Sequence, residues 1–416
     1  MKFLDRNSNT NRINDDIAPV VHGLLENKQL FDDDGSDRPY VTNAVKYTRK
    51  KQDRRKTSEY EGDDDFVNSI LDIFDFPPLD FQVNSWKTVD RLDRDRKADG
   101  RAKAGIFAAP TGFGKTEAFL GPLYQLLKED RQNSTIVVYP RRALLQNQLE
   151  RILEHIHDVN DGGASDLSVG VYMGGMPYKM EHVEDNNTWF EQERGTTRFK
   201  LANCWCGEDG DSHSFEFSGH SKAYTLTCEH DDDHSFTSRE LVLSRKSIIN
   251  DAPDIILTTL ESLELFALKP NYDIIDQVDS VVLDEVHLYT GLRGAHASKI
   301  IDNLNDITAE PLLWLGASAT IDSPTRFAKK LFDLGEHDIT VQKPPESDYD
   351  RSHNDYENYY FLISSEEGAT ASSMMIQQLM LIGHSLMAEE YGPQGKILSF
   401  IDSISQINQK QRQLVN

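Results

Sequence analysis

The stretch Ala109-Pro-Thr-Gly-Phe-Gly-Lys-Thr116 separates an apolar segment from an amphipathic one. The apolar segment Gly105–Ala109 predicts a buried strand, and the apolar spacing over Glu117–Lys128 predicts a helix. Glycines between a strand and a helix let backbone N–H groups approach phosphate oxygens, and the helix N-terminus adds its positive dipole end. The stretch therefore predicts a phosphate-binding loop made of Thr111, Gly112, Gly114, Lys115 and Thr116.

An acidic motif, Asp284-Glu285-Val286-His287, ends a second apolar strand, predicted at Val281–Asp284. Ligands of parallel sheets bind at the carboxyl ends of the strands, so this motif is expected to lie beside the glycine loop. Asp284 and the hydroxyl of Thr116 are expected to hold Mg²⁺, while Lys115 places its charge against the β- and γ-phosphates of ATP. Glu285 is expected to orient and deprotonate the attacking water.

His287 completes the acidic motif and has two interpretations. It is expected to sense the γ-phosphate and to relay its state to the following helix. A histidine whose bonds are satisfied at a helix start is the alternative. With Lys115, Asp284 and Glu285, it forms the predicted catalytic set of an ATP hydrolase that uses Mg²⁺.

The same alternation of short apolar strands and amphipathic helices continues along the chain. It predicts an α/β fold with a parallel sheet flanked by helices. The further strands are predicted at Ser134–Tyr139, Ser168–Met173, Asp254–Thr259, Leu312–Ala317 and Lys396–Ile401. Three parts are expected: a flexible charged arm over 1–65, an ATP-binding domain over 66–342 with an insertion at 180–245, and a linker with an incomplete second domain over 343–416.

Composition limits the class of protein. The 44 basic and 69 acidic residues give a net charge of −25, which is unusual for a nucleic-acid binder because phosphate contacts need Lys and Arg. A salt-adapted acidic surface is the favoured explanation, and a partner other than nucleic acid is the alternative. Three cysteines do not form a disulfide framework. With no apolar run long enough to cross a membrane and no signal segment, we expect a cytoplasmic protein without a membrane partner.

Basic residues also cluster locally, over Arg49–Lys56 and from Arg91 to Lys103. Two interpretations of these clusters stay open at this point. They are exposed charged segments, or they form an arm that contacts phosphates.

Several further motifs fall in an order that resembles the superfamily 2 helicases of the DExH/DEAD-box type, over about Phe81 to Asp402. The segment Tyr139–Leu144 resembles motif Ia, Gly174-Gly175 resembles the nearby glycine pair, and Thr258–Leu263 resembles motif Ib. The resemblance implies a RecA-like fold and nucleic-acid backbone contacts from Arg141, Arg142, Gly174, Gly175, Thr259 and Glu261.

The resemblance extends to three other positions. Ser318-Ala-Thr320 matches motif III, so Ser318 and Thr320 are expected to couple hydrolysis to strand movement. Gln82 resembles the glutamine that reads adenine in many members, and a solvent-exposed glutamine at a helix start is the alternative. Ser399–Ser403 resembles motif IV of the second motor domain.

The acidic motif continues as Leu-Tyr289-Thr-Gly291-Leu-Arg-Gly294-Ala-His296. This extension is similar to a subgroup of bacterial and archaeal DNA helicases related to repair and phage-defence enzymes. The similarity implies an ATP-dependent helicase or translocase that favours DNA over RNA. The family also needs motifs V and VI, which do not follow Asp402. The chain is therefore expected to hydrolyse ATP feebly, with a second polypeptide completing the motor. The alternative is a truncated or split-gene subunit that binds ATP and nucleic acid without turnover.

All three cysteines fall within the insertion, as Cys204-Trp-Cys206 and Cys228-Glu-His230. Closely spaced sulfurs followed by a Cys-x-His pair are typical of structural zinc, so a zinc-ribbon-like insertion with these four ligands is expected. Other candidates for the fourth ligand are His213, His220 and His234. Free cysteines in a surface insertion are the alternative.

Overall fold

The computed structural model describes residues 64–349 and the backbone of two strands that flank them, β1 (Val41–Lys51) and β15 (Tyr349–Leu362). Within 64–349 the description omits residues 75, 162–166, 183–188, 194, 207–212, 221–222, 269–273, 320 and 322. The chain divides into two compact units, 51–349 and 1–50 with 350–416. In the second unit, β1 pairs with β15. Most of the expected arm, the strand expected at Lys396–Ile401 and the segment Ser399–Ser403 lie outside the described residues.

An eight-stranded sheet forms the centre of unit 51–349, in the order β10-β4-β11-β3-β12-β13-β2-β14. Every described pair of neighbouring strands is parallel. The strands are β2 (Lys103–Ala108), β3 (Ser134–Tyr139), β4 (Val169–Tyr172), β10 (Leu241–Val242), β11 (Ile255–Thr259), β12 (Val278–Leu283), β13 (Leu313–Ser318) and β14 (Ile339–Gln342). The predicted α/β class and parallel sheet are confirmed.

Helices cover both faces of this sheet, because its strands are apolar on both sides. In β3, Val137 and Tyr139 face one core, while Ile136 and Val138 face the other. The helices are α1 (Asp65–Leu71), α2 (Asp80–Asp99), α3 (Lys115–Lys128), α4 (Arg142–Asp161), α5 (Arg245–Asn250), α6 (Leu260–Leu268), α7 (Gly291–Ile307) and α8 (Pro324–Phe332). The first four contribute buried residues to the first core, and the last four to the second.

A buried ionic network ties α2 to the amino ends of the strands. Asp93 is fully buried; its carboxylate accepts hydrogen bonds from Arg96 Nε at 3.0 Å, Gln132 Nε2 at 3.0 Å, Lys97 Nζ at 3.0 Å and Arg131 Nη2 at 3.1 Å. Arg96, 1% exposed, also donates to Asp279 Oδ1 at 2.9 Å and to the carbonyl of Pro311 at 2.7 Å.

Neither sequence interpretation of the basic cluster Arg91 to Lys103 holds for two of its members, although Arg91, Arg94, Lys97 and Arg101 are exposed. Arg96 is buried, and so is Lys103, whose ammonium pairs with Asp338 at 2.7 Å. These two cations are therefore neither exposed nor free to contact a phosphate chain. The physical reason is that acidic partners distant in sequence, Asp279 and Asp338, compensate the charges inside the fold.

The insertion folds as a separate five-stranded antiparallel sheet between β4 and β10. Its strands are β5 (Phe190–Glu193), β6 (Thr196–Cys204), β7 (His213–His220), β8 (Ala223–Cys228) and β9 (Ser235–Thr237). The sheet packs on α4, where Glu150 Oε1 accepts hydrogen bonds from Asn203 N at 2.9 Å and Asn203 Nδ2 at 3.0 Å. The residues expected to form an insertion, 180–245, thus contain a sheet of five strands.

No helix in the described part of the chain combines the length and the apolar character that a membrane crossing needs.

Candidate functional site

The candidate site lies along the carboxyl edge of the parallel sheet, where the sequence-predicted loops meet. The glycine loop follows β2 and the acidic motif follows β12, with β13 between them. On the other side of β12, three neighbouring strands carry the motif-Ia, motif-Ib and glycine-pair residues: β3, β11 and β4. The edge therefore has a nucleotide half over β2, β13 and β12, and a second half over β3, β11 and β4.

The glycine loop has the backbone that phosphate binding requires. Gly112 has a φ of +86°, and a Cβ added there meets no atom within 4 Å. Gly114 is the N-cap of α3 with a φ of +70°, and no side chain caps the helix. The N-terminal amides of α3 thus have no side-chain acceptor, which suits an anion. Thr111 is exposed and Thr116 is half-buried beside Lys115.

Lys115 points back into the loop, where Nζ donates to the carbonyl of Ala109 at 3.0 Å and to that of Pro110 at 3.3 Å. Burial lowers the pKa of Lys115, while the negative charges of Glu285 and Asp284 raise it. The glycine loop and the acidic motif follow strands of the same sheet edge with one strand, β13, between them. The charges of both acids act on Lys115 across this interval.

Gln82 is fully buried at the start of α2, which excludes a solvent-exposed glutamine. Its Oε1 accepts from Leu79 N at 2.9 Å and its Nε2 donates to the carbonyl of Gly114 at 3.3 Å. A Cβ on Gly114 would lie 2.3 Å from Gln82 Nε2, so only glycine fits there. Asp348 caps the same helix turn by accepting from Asp80 N at 2.9 Å and Phe81 N at 2.8 Å.

The positive charge of Lys115 does not fully compensate the two carboxylates of the acidic pair, Asp284 and Glu285. Burial, and then the charge of Glu285, raise the pKa of Asp284 to about 6, against the Glu285 N–H bond and the charge of Lys115. A buried carboxylate in this condition fits a divalent cation, and the Thr116 hydroxyl supplies a second hard oxygen of the kind that Mg²⁺ prefers. Asp284 and Thr116 are thus suited to hold Mg²⁺.

Glu285 has an unusual backbone and an unpaired oxygen. Its φ of +48° lies in the left-handed region, which is uncommon for a residue with a side chain. Oε2 is buried and accepts no hydrogen bond from the described residues, although His287 Nδ1 lies 3.2 Å away. An unsatisfied carboxylate oxygen beside the phosphate loop suits a group that accepts a proton from water.

His287 lies between the acidic motif and motif III. Its Nδ1 is 3.1 Å from Ser318 Oγ at the end of β13, and Ser318 is fully buried. The contact joins two of the residues that the sequence placed in hydrolysis and coupling. Thr320 lies outside the described residues.

The second half of the edge brings the candidate nucleic-acid residues together. Arg141 and Arg142 are exposed where β3 passes into α4. A Cβ on Gly174 would lie 2.7 Å from Arg142 Nη2, so the guanidinium lies directly over that glycine. Gly175 is exposed with a φ of +91°, and the indole of Trp189 packs against it.

Motif Ib lies between these two loops. Thr258 Oγ1 donates to the carbonyl of Tyr172 at 2.7 Å, which fixes the end of β11 against β4. Thr259 is buried and donates to Ser262 Oγ at 3.4 Å, while Glu261 is exposed at the start of α6. A buried threonine offers its backbone rather than its side chain to a ligand.

The cysteines of the insertion form a compact cluster. The sulfurs of Cys204, Cys206 and Cys228 all lie within 4.8 Å of one another, and Cys206 also groups with His213 and His230. The Cys206 and Cys228 sulfurs are 3.4 Å apart, and Cys204 Sγ is 3.1 Å from His234 Nδ1. His230 therefore approaches the cluster through Cys206, and His220 is in neither group.

Sequence reasoning missed two contacts at this edge that involve charged side chains. Arg151 of α4 pairs with the fully buried Glu117 of α3. Arg293, inside the extended acidic motif, donates through Nη2 to the carbonyl of Pro140 at 3.0 Å. Neither contact has a sequence signal, because each joins residues on separate elements without a fixed spacing.

Comparison with known proteins agrees with this arrangement. The family model described as DEAD/DEAH box helicase matches residues 98–186 and 221–327. Its interruption, 187–220, falls in the antiparallel insertion. The chain is 26% identical over 287 residues to the Druantia protein DruE of Escherichia coli (strain UMEA 4076-1), covering 55% of this chain and 16% of that protein.

A second relative is the Lhr helicase/probable uracil glycosylase of Mycolicibacterium smegmatis, 32% identical over 102 residues, which are 24% of this chain and 7% of that protein. Among solved structures, the DUF1998 helicase MrfA is similar with a TM-score of 0.49 and 14% identity, over 86% of this chain and 41% of that one. The chain thus spans a small part of its curated relatives. Residues 98–186 and 221–327 are the part of the chain that matches the DEAD/DEAH box helicase family model.

Proposed function

We propose that residues 66–342 form the ATP-binding lobe of an ATP-dependent helicase or translocase that moves on nucleic acid. The observation that carries this proposal is the division of one sheet edge. Nucleotide-binding residues occupy the ends of β2, β13 and β12, and candidate strand-binding residues occupy the adjoining ends of β3, β11 and β4. The match of residues 98–186 and 221–327 to the DEAD/DEAH box helicase family model supports the same activity.

In the nucleotide half, Lys115 holds the β- and γ-phosphates, and the amides after Gly112 and Gly114 cradle them. Asp284 and Thr116 hold Mg²⁺, which neutralises developing charge on the phosphates when bound. Glu285 orients water and takes its proton through the unpaired Oε2. The contact between His287 and Ser318 couples the presence of the γ-phosphate to the end of β13. Gln82 holds the loop at Gly114, and its resemblance to the adenine-reading glutamine of the family is the basis for assigning it to the nucleotide half.

In the second half, Arg141, Arg142 and the backbone at Gly174, Gly175, Thr259 and Glu261 bind a phosphate chain. Such contacts carry no sequence information, so binding is expected to be independent of base sequence. The Tyr-x-Gly and Gly-x-His extension of the acidic motif favours DNA over RNA. Single-stranded DNA and RNA oligonucleotides of the same sequence, titrated at low and high salt, test this preference directly.

Glu285→Gln is expected to keep ATP binding and to lower nucleic-acid-stimulated ATP hydrolysis by about 10²- to 10⁴-fold, because the amide cannot accept the proton of water. The measurement is phosphate release with and without single-stranded DNA. Glu310→Gln, an exposed carboxylate in the loop between α7 and β13, is the control and should keep turnover.

Turnover of the Glu285→Gln protein equal to that of the wild type would remove Glu285 from the role of base. A wild type that binds ATP and DNA and shows no stimulated turnover would instead favour the second candidate, a subunit that binds both without hydrolysis. The same assay therefore separates the two functions.

We also propose one structural zinc ion in the insertion, bound by Cys204, Cys206 and Cys228 with a histidine as fourth ligand. Zinc–sulfur bonds of about 2.3 Å place tetrahedral sulfurs about 3.8 Å apart, which the observed spacing of 3.4 Å between Cys206 and Cys228 approaches. His230 is the predicted fourth ligand, and His213 stacks on it with ring centroids 4.6 Å apart. The metal would fix the ends of β6 and β8.

Cys206→Ser is expected to remove about one equivalent of zinc from the purified protein, since Cys206 belongs to both ligand groups. Elemental analysis after dialysis measures this, and His220→Ala, outside both groups, should retain the metal. Structural sites contribute to folding, so a lower melting temperature should accompany the loss. A wild type without stoichiometric zinc would reject the site, and His230→Ala against His213→Ala identifies the fourth ligand.

A further inference from the structure

The extended acidic motif contains two residues, Arg293 and His296, that contact the loop after β3 and the helix after β11. It begins at Glu285 in the nucleotide half and runs through Tyr289 into α7, which packs on the second core. In this segment, the side chain of Arg293 contacts Pro140 in the loop after β3, and that of His296 contacts Glu264 in the helix after β11. We propose that Arg293 and His296 are positioning residues that fix the motif-Ia and motif-Ib loops relative to the acidic pair.

Arg293 makes the stronger of the two connections. Its guanidinium donates to the carbonyl of Pro140, the residue immediately before the exposed Arg141 and Arg142. The guanidinium also lies over the Tyr289 ring, 5.5 Å from its centroid. Hydrogen bonds with a charged donor are stronger than neutral ones, so this contact restrains the loop that carries both arginines.

His296 makes the second connection, to α6. Its Nε2 lies 3.1 Å from Glu264 Oε1, one helical turn after Glu261. Both side chains are partly exposed, at 46% and 36%. A pair this exposed contributes little to stability. Its effect is therefore expected on the placement of α6 rather than on folding.

Two glycines set the direction of both side chains. Gly291 opens α7 with a φ of +57°. A Cβ on Gly294 would lie 2.5 Å from the carbonyl oxygen of Tyr289, a backbone atom that cannot move aside cheaply. The chain can therefore turn tightly between Tyr289 and Gly294, and this turn aims Arg293 at Pro140. The positions of Gly291 and Gly294 in the motif therefore allow Arg293 to reach the carbonyl of Pro140.

The inference rests on the proposed function, since it assigns the two loops to nucleic-acid binding. With Arg293 present, the arginine loop is already ordered before the strand arrives. Without it, the loop must be ordered during binding, which lowers affinity while leaving the final phosphate contacts unchanged. A residue that touched phosphate itself would behave differently, because its removal lowers the salt dependence of binding by about one unit.

The test measures single-stranded DNA affinity of the full chain by fluorescence anisotropy at several salt concentrations. Arg293→Ala is expected to weaken binding about tenfold, with an unchanged slope of log Kd against log salt and ATP-analogue affinity within about twofold of the wild type. Arg293→Lys, which keeps a charged donor, should recover part of the loss. His296→Ala should weaken binding about two- to threefold.

Lys299→Ala is the matched control, because it removes one exposed positive charge from the same helix without a described partner at either loop. DNA affinity of Arg293→Ala equal to that of Lys299→Ala overturns the inference, and so does a slope reduced by one unit, which would make Arg293 a direct phosphate contact. A wild type that binds ATP and not DNA would contradict the proposed function itself. The two failures are therefore distinguishable.

Discussion

Replacing Lys115 with alanine is expected to weaken binding of ATP with Mg²⁺ by about 100-fold, equivalent to about 2.7 kcal/mol. The ammonium sits inside the loop, against the carbonyls of Ala109 and Pro110, and is close enough to Asp284 and Glu285 for their charges to raise its pKa against the effect of burial. Two unit charges about 4 Å apart attract by about 4 kcal/mol at an effective dielectric constant near 20, and desolvation offsets part of this.

Titration of a fluorescent ATP analogue into the purified protein measures the effect. Lys128→Ala, at the other end of the same helix, removes the same charge far from the loop and should bind as the wild type does. Unfolding curves of the two variants should agree with each other within about 0.5 kcal/mol, so that the loss is one of binding. An affinity for Lys115→Ala within threefold of the wild type would contradict the assignment of the phosphate loop.

Replacing Asp93 with alanine is expected to lower the free energy of unfolding by about 3–5 kcal/mol, because it leaves the buried Arg96 without one of its two carboxylate partners. Burial opposes ionisation of Asp93, yet the hydrogen bond from Gln132 and the charges of Arg96 and Lys97 outweigh it and hold the pKa of Asp93 below its usual value of 3.8. The stability that comes from the lowered pKa of Asp93 is fully present above pH 3.8. It is lost as the pH falls through the lower pKa of Asp93 in the folded state.

Urea unfolding at neutral pH measures the change for Asp93→Ala. Asp95→Ala makes the same substitution two residues away on the same helix and should change stability by no more than about 0.5 kcal/mol. Asp93→Asn removes the charge and keeps only one of the two acceptor oxygens, so it should also lose stability, by less than Asp93→Ala. If Asp93→Ala and Asp95→Ala unfold at the same urea concentration, the network does not hold the amino ends of the strands.

The sequence predicted the parallel sheet well because its strands are short, continuous apolar runs between turn residues. The strand Ser134–Tyr139 was predicted with its correct bounds, and that at Leu312–Ala317 was displaced by one residue. The placement of Lys115 and Asp284 at one edge of the sheet followed from a general property of parallel sheets: the loops after the carboxyl ends of their strands lie along the same edge. Strand order was not predictable, since it depends on packing between distant segments.

The buried charges were the part that sequence reasoning could not place. Arg96 and Lys103 look like members of an exposed basic run, because their partners Asp279 and Asp338 are more than 180 residues away. The same limit hid the contact between Arg293 and Pro140. Glycine positions such as Gly294 gave an indirect signal, since their tight turn sets where Arg293 points.

Asp348 has a mechanical consequence for the nucleotide site. Its carboxylate grips two backbone amides at the first turn of α2, and the next residue along, Gln82, is bonded to Gly114. Any pull on the polypeptide just after Asp348 therefore reaches the phosphate loop through a short series of hydrogen bonds, without crossing the hydrophobic core. Asp348, at the end of this unit, is thus connected by hydrogen bonds to the loop proposed to bind the triphosphate.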